Sequence, residues 1–134
     1  MPGGKANYLS DKLLDHVLGG SDFARPATVY VALFTVLPGP SGGGTEVSGG
    51  GYSRKAVANN STNWPAASGQ TKRNGVEIDF GAATADWGDV VGAALFDAPT
   101  GGNLLYYGPF SVTRTVRNGD SFKIPANGAT ITEA

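Results

Sequence analysis

The segment "ADWGD" sets two carboxylates, Asp86 and Asp89, on either side of Trp87. Carboxyl groups held about 5 to 9 Å apart can divide the acid and base duties of glycoside hydrolysis. Aspartates in a turn ahead of an apolar run more often accept hydrogen bonds from local backbone N–H groups, and that reading is preferred here. A second segment, "TEVSGGGYSRK" at 45–55, runs three glycines into two basic residues and invites phosphate binding. It lacks the Gly-Lys-Ser/Thr that opens a helix and turns backbone N–H groups toward a phosphate. The simpler reading is a flexible turn that delivers Tyr52 into a strand. His16 is the single histidine and cysteine is absent, which excludes disulfides, thiolate zinc sites and cysteine nucleophiles together. His16 is expected to be a helix-surface or interface residue. These residue types imply no catalytic centre, no metal and no cofactor.

The elements that hold these residues come from a sparsely charged chain. Its 134 residues suit one domain, 1–134; 16% are charged and the net charge is −1. Such a chain has no broad field with which to capture nucleic acid or anionic lipid. No apolar run approaches a membrane span and no export signal is recognisable at "MPGGKANYLS", so the expectation is a soluble protein with no membrane partner. In "NYLSDKLLDHVLGG", Ser10 is placed to cap a helix, apolar residues recur at helical spacing and two glycines stop it. The helix is expected from about Ser10 to Leu18, too short to stand alone, with a leucine face that must dock on the body or on a neighbouring chain.

"TVYVALFTVL" is a nearly continuous apolar, β-branched run, as in a strand covered on both faces. The glycine-rich arm at 38–51, "PGPSGGGTEVSGGG", has little to bury and reads as a mobile loop or an arm that orders against a partner. A second loop, 58–75, carries Trp64. Asn-Gly pairs at 74–75, 118–119 and 127–128 each precede an alternating segment, which favours type I′ hairpin turns, most clearly in "TVRNGDSF". "DVVGAALFDA" and "GGNLLYYGPF" make another hairpin. Seven or eight strands at this spacing predict a mainly β fold, an antiparallel β-sandwich or jelly-roll-like barrel with one short N-terminal helix.

Trp64, Trp87, Tyr106, Tyr107 and Phe110 could stack on sugar faces. In short sheets, aromatic side chains more often anchor a core or an interface between subunits. Leu14, Leu18, Tyr52, Trp64, Tyr106 and Tyr107 are therefore the candidate interface residues.

The ordered set "LLDHVLGG", "PATVYVALFT", "GTEVSGGGYSRKAV", "ATADWGDV", "ALFDAPTGGNLLYYG" and "TRTVRNGDSFKIPAN" resembles a family of small tailed-bacteriophage proteins often labelled tail fibre proteins. The resemblance spans nearly the whole chain and implies a virion structural protein, assembled in the bacterial host cytoplasm and associated with other virion proteins. A fibre needs length, and this chain has no heptad, collagen-like or solenoid repeat. On that ground the expectation is a capsid decoration or cement protein on the major capsid protein, oligomeric with its own kind. A tail or tail-fibre component and a carbohydrate-binding module for host adsorption are the alternatives.

Overall fold

The computed structural model describes residues 4–132. Within them run β1 (Gly4–Lys5), α1 (Asn7–Val17), β2 (Thr28–Val36), β3 (Thr45–Glu46), β4 (Lys55–Ala58), β5 (Thr71–Arg73), β6 (Ile78–Ala82), β7 (Gly88–Phe96), β8 (Leu104–Val116), β9 (Ser121–Ile124) and β10 (Thr130–Thr132). The fold is mainly β with antiparallel pairing throughout, and ten strands replace the expected seven or eight. The largest sheet runs β1-β8-β7-β2-β3, with β4 also paired to β2; β10-β5 and β6-β9 form separate ribbons. The layering is sandwich-like, with open sheets.

The pleat of β2 explains its apolar run. Val29, Val31 and Leu33 join the main core, whereas Ala32 and Phe34 join a smaller cluster. Alternate side chains leave a strand on opposite faces, so these two clusters are the two faces of the sheet. The expected double cover is therefore present. On the smaller face it comes from Ala6, Leu104, Phe96 and Tyr107, not from the body of the helix. On the main face, Ile78 of β6, Phe122 and Ile124 of β9, Trp64 and Ala129 close over the sheet. Isolated two-stranded ribbons are marginal in water, so both ribbons depend on this shared core.

β7 and β8 form the expected hairpin, with Asp97 in the connection accepting from the Asn103 backbone N–H at 2.7 Å. Their register shifts between Val90 and Gly92, so the core-facing set changes from Val90 to Ala93 and Leu95. Gly92 tolerates this bend because no side chain fits there: a Cβ would lie 2.5 Å from the Gly108 carbonyl oxygen and from the Leu37 side chain.

The helix starts earlier than Ser10. Ala6 precedes it without a side-chain cap, and the Ser10 N–H already bonds the Ala6 carbonyl inside the first turn. A tertiary tie replaces the cap, since the Asn7 N–H donates to the Pro40 carbonyl at 2.8 Å. The stop at Gly19 and Gly20, both with positive φ, is as expected.

None of the Asn-Gly pairs makes the expected hairpin. At Arg117–Asp120 the Asp120 N–H bonds the Arg117 carbonyl and Gly119 has φ +91°, a turn with positive φ only at its third residue. It carries the chain out of the large sheet, because β9 pairs with β6 and not with β8. The turn at 125–128 places Asn127 itself at φ +66°. Asn74 is fully buried: its Nδ2 donates to the carbonyls of Val76 and Pro125, each at 2.9 Å, and its Oδ1 accepts from Ala129 N–H at 2.9 Å. Its own backbone also bonds Ala129 and Asn127. One amide thus fastens the 125–129 turn to the β5–β6 connection.

Replacing Asn74 with Ala leaves two carbonyls and one N–H without partners in a dry site. The expected loss is about 3 kcal/mol, read as a lower denaturant midpoint. An unchanged midpoint would show that these bonds are replaced by water.

Candidate functional site

The side of β2 away from β7 is shared by two short strands that do not meet. β3 pairs with Phe34 and Val36, and β4 pairs with Thr28 to Val31. Between them the Leu33 N–H lacks a strand carbonyl. The hydroxyl of Tyr52 takes that bond at 3.0 Å and donates its own proton to Glu46 Oε2 at 2.6 Å. Arg54 closes the cluster through Nε to Glu46 Oε2 at 3.0 Å and Nη2 to Oε1 at 2.9 Å, a bidentate pair. Its Nη1 reaches the carbonyls of Ala98 and Gly101 at 3.0 and 2.8 Å, and its guanidinium lies 3.8 Å from the centroid of the Phe96 ring. The Arg54 side chain is only 8% exposed.

The "SGGGY" segment is what delivers Tyr52. Gly49, Gly50 and Gly51 all have positive φ, and the Gly50 carbonyl accepts from Trp87 Nε1 and from the Thr84 N–H, each at 2.9 Å. A Cβ on Gly50 would meet the Ala85 carbonyl oxygen and Trp87 Nε1, both at 2.9 Å. Three successive left-handed residues are inexpensive only for glycine. Within the arm expected to be mobile, Val47 is buried and its N–H is bonded to the Leu33 carbonyl, and the glycine turn is tied to Thr84 and Trp87.

Electrostatics follow from this geometry. Burial pushes the Tyr52 hydroxyl well above its usual value, and the hydrogen bond to Glu46 adds to the rise. For Glu46, burial acts upward, but hydrogen bonds from Arg54 and Tyr52 and the Arg54 charge outweigh it and hold the carboxyl below its ordinary value. The polar side-chain atoms of Glu46, Tyr52 and Arg54 are all bonded within the chain, which makes the cluster a lock between the arm, β2 and the β7–β8 connection.

The other candidates are dispersed. Trp64 and Trp87 are buried, 6% and 5% exposed, so neither offers a face for sugar stacking. Tyr52 packs edge-on to Trp87 at 5.6 Å and is stacked with Phe80 at 6.3 Å, inside the core. Asp86 accepts from the Asn118 N–H at 2.8 Å and Asp89 from the hydroxyl of Thr115, its cross-strand partner on β8, so neither shows the expected local turn bond; both carboxylates are held by residues distant in sequence. His16 Nδ1 accepts from the Phe23 N–H at 3.1 Å at the helix surface. Among the described residues no group of acidic or imidazole side chains could hold a metal, and no helix is long and apolar enough to cross a membrane.

Of the predicted interface residues, Trp64 and Tyr106 come together in an apolar cleft of about 340 Å³, with Leu9, Leu13, Phe23 and Ile131. Tyr107 faces the opposite side of the sheet. Leu14 and Leu18 project to solvent from the helix, 59% and 71% exposed. Sequence reasoning missed Glu46, placed Asn74 only in a turn, and took Arg54 only as one of the two basic residues after the glycines. Glu46, Tyr52 and Arg54 share no helical or strand period, so the sequence carried no signal of their association.

The described residues form a small antiparallel β domain in which the Glu46–Tyr52–Arg54 cluster and Asn74 bond within the chain. A family model described as Podophage GP4 fiber I protein gp80 matches residues 4–132, and the chain belongs to that family. It is therefore a phage virion protein of the tail-fibre-related kind. No curated protein matches the chain. The family description supports the fibre alternative and gives no support to capsid decoration.

Tyr52→Phe keeps the ring and strands the Leu33 N–H, for an expected loss of about 2 kcal/mol in chemical unfolding. The native chain should also lose stability in alkali. A raised folded value means the Tyr52 contribution is complete below pH 10.0 and lost as pH climbs toward the folded value, a dependence that Tyr52→Phe should flatten. The Glu46 contribution has the opposite sense, complete above pH 4.5 and lost as pH falls through the depressed folded value. Glu46→Gln should remove that acid-side slope in a stability profile.

Proposed function

We propose that this protein is a structural component of the tail fibre, a compact module that contributes binding surface and rigidity and performs no catalysis. The family match over 4–132 carries the reading. The internal lock at Glu46, Tyr52 and Arg54 supports it, because a part that must transmit force between partners benefits from loops fixed by bidentate and aromatic contacts. Its partners are other virion proteins and further copies of itself, and its place is the virion.

Densitometry of purified virions, together with labelled-antibody electron microscopy, tests this. The expected result is label at the tail and a band far weaker than that of the major capsid protein. A band approaching the capsid protein in copy number, with label over the head, would overturn the proposal in favour of a cement role.

A further inference from the structure

Helix α1 has two unlike faces. Leu9 and Leu13 turn inward, while Asp11, Leu14, Asp15 and Leu18 fall together on the opposite side at 3.6 residues per turn. All four of these outer residues are exposed, and Val17, also exposed, lies at their margin. The nearby cation Lys12 is drawn over the Tyr8 ring, 5.8 Å from its centroid. The outer face is thus apolar and acidic.

The cleft has the complementary character. Arg25 and Lys72 line it together with the apolar residues named above, and no carboxylate does. Among the described residues neither cation has an ion-pair partner. Trp64, also in the cleft lining, is buried with its indole N–H unpartnered. An occupant that brings both apolar side chains and carboxylates would meet all these features.

We propose that the outer face of α1 from one copy docks in this cleft of a second copy. Leu14 and Leu18 cover the apolar floor, and Asp11 and Asp15 approach Arg25 and Lys72. Both surfaces belong to the same chain yet do not overlap, so the contact is heterologous, helix to cleft, and repeating it builds a ring where the rotation closes and a filament where it does not. The choice of a second copy rests on this charge and apolar complementarity alone and stands whether the protein sits in tail or head.

The test is a pair of charge-reversed full-length variants, D11K/D15K on the helix and R25E/K72E in the cleft, followed by sedimentation across a concentration series. The native chain should associate. Each variant alone should associate about tenfold or more weakly, because like charges then face each other. Mixing the two variants should restore association, since each reversed helix meets a reversed cleft. L14S/L18S, which alters only exposed side chains, should also weaken association while leaving the circular dichroism spectrum unchanged. A native chain that stays monomeric at millimolar concentration overturns the proposal and assigns the cleft to another partner or a small ligand. Association indifferent to L14S/L18S and to both reversals overturns it equally.

Discussion

One backbone donor, the Leu33 N–H, sets the terms for the unpaired side of the large sheet. A buried peptide group must find a partner, and the two short strands beside β2 leave this one unserved. The tyrosine hydroxyl that serves it must approach from a direction no strand residue offers. That requirement explains the left-handed triple glycine, and the hydroxyl's own proton explains Glu46. A buried carboxylate then requires a cation, and Arg54 meets it from the start of the next strand while bonding the β7–β8 connection at Ala98 and Gly101. Through this chain of requirements the arm, the hairpin tip and the central strand form one rigid unit.

Asn74 solves a related problem at the far side of the core. The ribbons β5–β10 and β6–β9 are too small to bury their own faces and are separated by connections without regular pairing. A single amide with two donors and one acceptor bonded to three backbone groups fixes the turn between β9 and β10. Both devices use side chains to complete backbone hydrogen bonding where strands stop. This explains how a chain so rich in glycine holds its strand ends onto a buried core.

What could be read from the sequence was local. The double-faced strand β2, the β7–β8 hairpin, the helix stop and the mainly β class all follow from apolar periodicity and glycine punctuation, which act within a few residues. The helix start was misplaced because Ser10 has the right chemistry for a cap, while the actual start is fixed by Pro40, thirty-odd residues away in sequence. Asn-Gly announces a turn, but hairpin pairing depends on which strand lies next in space; after Asn118 that is β6. Glycine content measures the entropy of ordering a segment and is silent on whether tertiary bonds offset it. At Gly50 they do, through Trp87 and Thr84. The pairing of Glu46 with Arg54 follows no helical or strand period, so it could emerge only from the folded loop.

The capsid expectation rested on length: without a repeat, a chain of this size cannot itself form a shaft. That premise confuses the fibre with each of its parts. An extended assembly needs repetition somewhere, and repetition can come from copies or from neighbouring proteins as readily as from sequence. A compact module meets the remaining demands if its loops are internally fixed and some apolar surface is left uncovered. Here the loops are held by Tyr52, Arg54 and Asn74, and the exposed leucines, Leu14 and Leu18, lie on α1 and at its C-cap. Since 16% charged residues leave little scope for surface ion-pair networks, any cohesion between such modules would rest on apolar faces of this kind, with the few charges setting orientation.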